Sequence, residues 1–291
     1  MLKPPRMRQF FSALWGRFEF FLANLPSLIG PYQRYRDLFY GSDPRQRLDV
    51  YVPTRRLSDR CPVIVFWHGG HWRRGDKSDY RFVGAALAKA GNLAVIANYR
   101  LYPQVRLAGF MSDAALAVQW SSEHAREFGA DPARLYVMGH SAGAHMAALL
   151  TLDPHYLAAL EGRSPRIAGV IGLSGPYDFL PLEEDTKDVL GPPDRYADSQ
   201  PINFVRDDAP PMLLVHGAKD VVVRPRNSLN LAAALRALNI PINLKVYEQA
   251  GHADTVAALT SFLRHRAPTL VDVVEFLDAQ ERAAQVRPSP V

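Results

Sequence analysis

Short apolar runs recur along the chain, and most are followed by a stretch whose apolar residues have helical spacing. Continuous apolar runs of this kind predict strands that are buried on both faces, as in a parallel sheet. They cover residues 62–67, 93–99, 135–138, 167–173, 212–216 and 242–247. Helical spacing covers residues 80–90, 112–128 and 142–150, and recurs at Leu231, Leu235 and Leu238. The alternation predicts an α/β fold, with a mostly parallel central sheet and helices on both of its faces.

Two segments depart from this alternation. Near the start, residues 35–40 and the strictly alternating run 47–52 flank a Gly-Ser-Asp-Pro turn, which predicts a hairpin of two strands. Residues 178–210 are rich in Asp, Glu and Pro and have no long period, so we expect an excursion over the carboxyl edge of the sheet. The predicted organisation is an N-terminal segment over residues 1–40 and one α/β domain over residues 41–285, with this excursion as part of a small cap.

The N-terminal segment carries a one-sided apolar stripe. It consists of Phe11, Leu14, Trp15, Phe18, Phe21 and Leu22, which fall at helical spacing. Arg17 and Glu19 interrupt the apolar stretch and no small-residue cleavage site follows, so the pattern favours neither a secretory signal nor a membrane span. Two interpretations stay open. The helix caps the protein itself, which we favour, or it lies on a membrane surface with its basic end outward.

The composition indicates which kinds of partner and which cellular compartment to expect. The 291 residues are 48% hydrophobic and 22% charged, as in ordinary globular proteins. The net charge of +5 is scattered, so we expect no nucleic-acid partner. The single cysteine, Cys61, excludes an intramolecular disulfide, which fits a reducing compartment, and we expect a cytoplasmic protein. The nine histidines lack metal-ligand spacing, and no cofactor is expected. A homodimer is one alternative for the oligomeric state.

A nucleophile motif lies between the predicted strand 135–138 and the helical run after it. Gly139-His140-Ser141-Ala142-Gly143 is Gly-x-Ser-x-Gly in a strand–turn–helix context, which is typical of a nucleophile elbow. The turn holds its serine in a strained conformation and exposes the hydroxyl above the end of the strand. Ser141 is therefore the candidate nucleophile. The alternative is a buried serine at a tight junction.

A serine nucleophile needs a base, and the base needs an orienting acid. In this class of fold they follow the serine in the order acid, then histidine. Asp220 lies in the loop after the strand 212–216, and His252 follows the last predicted strand, so these two are the candidates. His216 is expected to pack or to bond the backbone. The competing carboxylates are Glu183, Glu184, Asp185, Asp194 and Glu248, none of which follows a strand as directly as Asp220.

A second glycine-rich turn follows the strand 62–67. In His68-Gly69-Gly70-His71-Trp72, the two glycines let backbone N–H groups turn inward without a side chain in the way. Together with the N–H of Ala142 at the start of a helix, Gly69 and Gly70 are the candidate oxyanion donors.

These motifs resemble those of the α/β-hydrolase carboxylesterases related to the hormone-sensitive-lipase group. The resemblance spans about residues 47–265 and is carried by residues 68–70, 98–103 and 139–143 with Asp220 and His252. Two positions depart from the group: His71 stands where a third glycine is usual, and His140 where an aspartate is usual. His-Gly-Gly-x-Trp is more similar to the kynurenine formamidase-like esterases, and also to bacterial feruloyl and acetyl-xylan esterases. The resemblance implies an α/β-hydrolase fold and hydrolysis of an ester or an aryl formamide.

The leading hypothesis is a serine carboxylesterase that acts on short-to-medium acyl or aryl esters, its small-molecule substrates. The alternatives are an aryl formamidase acting on N-formylkynurenine, an interfacial lipase, and a hydrolase fold kept as a non-catalytic binding module. The substrate pocket is expected to draw on the N-terminal helix, the excursion 178–210 and four side chains. These are His71, Trp72, Tyr102 and His140.

Overall fold

The computed structural model describes residues 23–27, 29–54, 61–162 and 164–286, and the predicted apolar N-terminal helix lies outside them. The described residues contain one eight-stranded sheet with the strand order β1-β2-β4-β3-β5-β6-β7-β8. The strands are β1 (Tyr32–Phe39), β2 (Arg47–Pro53), β3 (Val63–Trp67), β4 (Leu93–Ala97), β5 (Leu135–His140), β6 (Gly169–Leu173), β7 (Met212–Gly217) and β8 (Ile242–Tyr247). The pairs β1–β2 and β2–β4 are antiparallel, and all the other pairs are parallel.

Helices cover both faces of this sheet. In the described residues they are α1 (Arg81–Lys89), α2 (Leu107–His124), α3 (Ala142–Leu152), α4 (His155–Ala158), α5 (Glu184–Leu190), α6 (Arg226–Ala237), α7 (Asp254–Ala257) and α8 (Thr269–Val286). None of these helices combines the length and the apolar character needed to cross a membrane.

Two apolar cores lie on opposite faces of the sheet, because alternate side chains of each strand point in opposite directions. In β3, Val63, Val65 and Trp67 join the core under α2, α3 and α6. Ile64 and Phe66 join the other core, under α1 and α8. All five residues of β3 are fully buried, as the continuous apolar run predicts.

The predicted hairpin is present: β1 pairs with β2 in antiparallel register, with an irregularity between Tyr35 and Leu38. The predicted boundary at residue 40, between an N-terminal segment and the α/β domain, therefore divides this hairpin. The helix predicted over residues 112–128 is α2, which begins at Leu107 and ends at His124. It starts earlier because Leu107, Phe110 and Met111 are buried against the sheet, so packing extends the helix through this turn.

The excursion over residues 178–210 connects β6 to β7 and leaves the sheet at the carboxyl end of β6. It contains α5 and two 3₁₀ turns, Pro193–Ser199 and Pro201–Phe204. The Asn227 side chain of α6 accepts hydrogen bonds from the N–H groups of Tyr177 and Asp178, both at 2.9 Å. These two bonds fix the start of the excursion.

A buried ionic cluster holds the hairpin to the loop between β3 and α1. The fully buried Asp49 carboxylate of β2 accepts hydrogen bonds from Lys77 Nζ at 2.7 Å and from Arg34 Nη2 at 2.6 Å. Lys77 N also donates to Asn98 Oδ1 at 2.7 Å, just after β4. The cluster therefore fixes residues 68–77, the loop that carries the predicted oxyanion glycines.

Asp49→Asn is expected to lower the free energy of unfolding by about 3 kcal/mol, because the buried Lys77 then loses Asp49, the buried one of the two carboxylates that it bonds, and keeps the exposed Asp37. Urea denaturation followed by circular dichroism measures the change. Glu184→Gln is the matched control, since it breaks the exposed Glu184–Lys187 pair and should have no measurable effect. Equal losses in the two variants would contradict the role given to the cluster.

Candidate active site

Ser141 lies at a sharp turn between β5 and α3. Its backbone has φ 54° and ψ −119°, a strained conformation for a residue with a side chain. The turn is possible because Gly143 lies against β3: a Cβ on Gly143 would be 2.0 Å from the carbonyl oxygen of Trp67. The Ser141 N–H also donates to the carbonyl of Leu173 in β6 at 2.9 Å. The elbow is thus fixed from both neighbouring strands.

The structure brings Ser141, His252 and Asp220 together at the carboxyl edge of the sheet. His252 Nε2 is 3.0 Å from Ser141 Oγ, and His252 Nδ1 is 2.8 Å from Asp220 Oδ2. The three side chains come from loops after β5, β7 and β8, and the carboxyl ends of parallel strands share one edge. Serine, histidine and aspartate in this mutual geometry can form a nucleophile, base and orienting acid.

Asp220 is buried and receives four N–H donors. Its Oδ1 accepts from the N–H groups of Val222 at 2.9 Å and Val223 at 2.8 Å. Its Oδ2 accepts from His252 and lies 3.2 Å from His216 Nε2. Burial alone would raise the pKa of Asp220, but the hydrogen bonds from His216 and His252 outweigh it and hold this pKa well below its usual value. Asp220 is therefore an anion at neutral pH.

The predicted oxyanion loop closes with backbone hydrogen bonds from the N–H groups of Arg73 and Arg74 to Gly70 O, each 3.1 Å. Gly70 has φ 127°, where a Cβ would be 2.1 Å from Arg74 O, so only glycine fits. Burial raises the pKa of the Tyr80 hydroxyl, and a hydrogen bond from the Gly69 backbone opposes that rise. The role of Gly69 as an oxyanion donor stays a prediction.

The predicted pocket side chains Trp72, Tyr102 and His71 differ in how deeply they are buried. Trp72 is 2% exposed, and its ring packs against His145 with ring centroids 5.0 Å apart. Tyr102 is half-buried and lies under the Arg73 guanidinium, 4.3 Å from the ring centroid. His71 is half-buried, and burial and then the charge of Arg74 lower its pKa.

His140, the fourth predicted pocket residue, directly precedes Ser141. Its side chain is buried, and its Nε2 is 3.0 Å from the carbonyl oxygen of His252. This contact joins the residue before the nucleophile to the backbone of the candidate base.

The excursion 178–210 reaches the same region. Phe179 stacks on Trp72 with centroids 6.5 Å apart and an interplanar angle of 19°. Arg73 Nη2 donates to the carbonyl oxygen of Asp185 at 2.7 Å, and His145 Nε2 bonds the carbonyl oxygen of Ser199 at 2.7 Å. The excursion is therefore fastened both to the oxyanion loop and to the helix behind Ser141.

His216 and Phe179 contribute to the site in ways that the sequence did not predict. His216 bonds the backbone carbonyl of Val223 at 2.8 Å, as expected, but it also contacts the Asp220 carboxylate. The sequence feature that could have predicted this contact is the position of His216, four residues before Asp220 on a strand that ends at the site. Phe179 carried no signal, because it stands in a segment without periodicity. In the described residues, no group of three or more His, Cys, Asp or Glu side chains could hold a metal ion.

The fold and the site together define the class of protein: it is an α/β hydrolase. More closely, the family model described as BD-FAE matches residues 48–235, and the chain belongs to this family.

Two named relatives each match this chain over part of their own length. The chain is 31% identical to Esterase LipC of Mycobacterium tuberculosis over 227 residues, which are 72% of this chain and 56% of LipC. It is 29% identical over 251 residues to a probable isoprenylcysteine alpha-carbonyl methylesterase of Arabidopsis thaliana, covering 78% of this chain and 52% of that protein. The chain thus spans about half the length of the curated relatives it matches.

Solved structures extend the likeness over nearly the whole chain. An inhibited esterase B of Lactobacillus rhamnosis has a TM-score of 0.80 at 20% identity, covering 97% of this chain and 98% of its own. At that identity the likeness shows the fold alone. A thermophilic esterase of Thermogutta terrifontis, solved with butyrate bound, has a TM-score of 0.71 at 25% identity and covers 86% and 94% of the two chains.

Asp220→Asn is expected to lower kcat/KM by about 10⁴-fold. Asparagine offers one acceptor oxygen where the carboxylate offers two, so its NH₂ group must face either the loop N–H groups or the histidines. Facing His252, it would force the proton of that ring from Nδ1 to Nε2, where it blocks proton transfer from Ser141. Hydrolysis of p-nitrophenyl butyrate measures the loss.

Asp153→Asn is the control for this prediction. Asp153 is a buried carboxylate that bonds a histidine, His155, at 2.6 Å, but it follows α3 and lies outside the site. This variant should keep the wild-type kcat. Similar kcat/KM values for Asp220→Asn and the wild type would show that Asp220 is not the orienting acid.

Proposed function

We propose that this chain is a serine carboxylesterase that hydrolyses short-to-medium acyl or aryl esters through an acyl-enzyme. The observation that carries the proposal is the hydrogen-bonded series from Ser141 Oγ through His252 to Asp220 Oδ2, with separations of 3.0 and 2.8 Å. The names of the relatives, an esterase and a methylesterase, support the same class of reaction.

The hydrogen bonds assign the proton steps. Because Asp220 is an acceptor, His252 Nδ1 carries the proton and Nε2 presents its lone pair to Ser141. As Ser141 Oγ bonds the acyl carbon, its proton moves to His252 Nε2 and the carbonyl electron pair moves to oxygen. The bond to the alcohol then breaks, and Nε2 protonates the leaving oxygen. Water repeats both steps, which releases the acid and restores Ser141.

The negative oxygen of each tetrahedral intermediate needs fixed donors. We assign them to the N–H groups of Gly70 and Ala142. Ala142 opens α3, where the helix N-terminus favours negative charge. Gly69 stays a predicted donor, and its backbone also bonds Tyr80.

The acyl or aryl group would lie beside the surface formed by the oxyanion loop and the excursion. The half-buried Phe179 ring, which stacks on the buried Trp72, suits an aryl group, which keeps an aryl formamidase as the second candidate. Turnover of N-formylkynurenine relative to short-chain aryl esters separates the two. The lipase alternative depends on the N-terminal helix and would show activity that rises above the solubility limit of a long-chain ester.

Gly70→Ala is expected to lower kcat by about 10²- to 10³-fold, the usual cost of losing one oxyanion donor. The added Cβ would be 2.1 Å from Arg74 O, so the loop must move. Gly162→Ala is the matched control: Gly162 also has positive φ, 90°, but only Gln119 Nε2 lies within 4.0 Å of the added Cβ. It should cost stability and leave kcat unchanged. A wild-type kcat in Gly70→Ala would exclude this loop from the oxyanion site.

Ser141→Ala is expected to abolish hydrolysis of p-nitrophenyl butyrate to a trace, because the acyl-enzyme can no longer form. A fluorophosphonate probe should label the wild type at Ser141 and leave this variant unlabelled. Unchanged turnover in Ser141→Ala would contradict the proposed mechanism. Failure of the probe to label folded wild-type protein would support the binding-module alternative instead.

A further inference from the structure

We propose that His140 is a positioning residue, whose imidazole holds the backbone of His252 and thereby sets the general base against Ser141. The inference rests on the proposed function, because it gives His252 the role of base. It goes beyond that function by assigning His140 a task separate from the proton steps of Ser141, His252 and Asp220.

The contact is direct and local. His140 Nε2 lies 3.0 Å from the His252 carbonyl oxygen, and the two ring centroids are 4.9 Å apart. Thr255 Oγ1 also approaches this carbonyl, at 3.4 Å, a longer and weaker contact. Of these two contacts to the His252 carbonyl, the one from the nucleophile elbow is the shorter.

The protonation state of His140 follows from its surroundings. Burial, and secondarily the positive charge that His252 can carry, lowers the pKa of His140 to about 3. The ring is neutral at working pH and has one N–H. Since a carbonyl oxygen only accepts, that proton is on Nε2, and Nδ1 keeps its lone pair. Nδ1 is buried and has no hydrogen-bond partner among the described residues.

The unpartnered Nδ1 faces the oxyanion loop. A Cβ built on Gly69 would be 3.0 Å from His140 Nδ1 and 3.1 Å from Ser141 Cβ. One ring thus touches the loop that precedes the oxyanion donors and, through its opposite nitrogen, the loop of the base.

The base requires such a tether because its strand is the least supported of those at the site. β8 is the edge strand after β7, and its residues are half-buried or exposed, whereas β5 is fully buried. His252 follows β8 and precedes only the short helix α7. Because His140 directly precedes Ser141, its hydrogen bond to the His252 carbonyl holds the base in a fixed position relative to the nucleophile. Misplacement of a reacting group by about 1 Å can cost about 100-fold in rate.

His145 provides an internal comparison. It is equally buried, its pKa is lowered by burial to about 4, and its Nδ1 also lacks a partner among the described residues. Its Nε2, however, bonds the carbonyl oxygen of Ser199 in the excursion at 2.7 Å. The two histidines on either side of Ser141 therefore make the same kind of bond to different loops.

The experiment compares His140→Gln, His140→Asn and His145→Leu in the full chain. The glutamine amide nitrogen can reach the position of histidine Nε2 and donate to the His252 carbonyl, whereas the shorter asparagine cannot. For His140→Asn we expect kcat for p-nitrophenyl butyrate to fall by about 10- to 100-fold with little change in KM. His140→Gln should recover most of this loss.

A proton NMR readout separates positioning from general destabilisation and from turnover. The low-field resonance of the His252 Nδ1 proton, which lies in the bond to Asp220, should shift or broaden in His140→Asn and be near its wild-type position in His140→Gln. His145→Leu removes a buried histidine of the same kind, so it should lower the melting temperature and leave this resonance in place.

Two outcomes would overturn the positioning role, and a third separates it from the proposed function. Equal kcat and equal resonances in His140→Asn, His140→Gln and the wild type would overturn the positioning role. A resonance that moves as much in His145→Leu as in His140→Asn would also overturn it, because it would reflect loss of stability. If wild-type turnover does not depend on Ser141, the proposed function fails, and the resonance still tests whether His140 holds His252.

Discussion

The parallel register of β3, β5 and β6 is the constraint on which this site depends. Trp67 lies beside Gly139 in one pair, and His140 lies beside Leu173 in the other. The chain must therefore turn immediately after His140, between two strands that also end there. Gly143 fits under the Trp67 carbonyl because it has no Cβ. The strained backbone of Ser141 is the consequence, and its hydrogen bond to Leu173 of β6 and the packing of Gly143 on Trp67 of β3 hold it there.

The charges of the site are arranged around one anion. Asp220 is buried, yet four N–H donors make its ionised form the stable one. The neighbouring His68 and His140 are kept neutral, since burial lowers their pKa values to about 4 and about 3. In the proposed mechanism, the positive charge that forms on His252 faces the Asp220 carboxylate without competing cations on these two rings.

The sequence predicted what local pattern determines. Fully buried strands such as β3 appear as continuous apolar runs, and Gly-x-Ser-x-Gly between a strand and a helix predicts the elbow at Ser141. Features set by contacts between distant segments escaped it. The start of α2 at Leu107 depends on packing against the sheet, whereas the hairpin of β1 and β2, whose strands are adjacent along the chain, was predicted.

The same distinction holds within the site. The sequence placed Asp220 and His252 in loops at the correct edge of the sheet, because the order of strands determines where their loops emerge. It could not give the bond from the Gly69 backbone to Tyr80, or that of His216 to Asp220, because neither follows from spacing along the chain. Buried polar contacts of this kind form between residues that the fold brings together, and the sequence pattern does not show which residues these are.

The departure at position 140 illustrates how such contacts constrain sequence. Esterases related to the hormone-sensitive-lipase group usually have an aspartate before the nucleophile, where this chain has His140. An ionised aspartate has no proton to donate, so it would repel the His252 carbonyl that His140 Nε2 contacts at 3.0 Å. Histidine supplies the donor while burial keeps the ring uncharged. The residue at position 140 is thus linked to the loop after β8 through one hydrogen bond to its backbone.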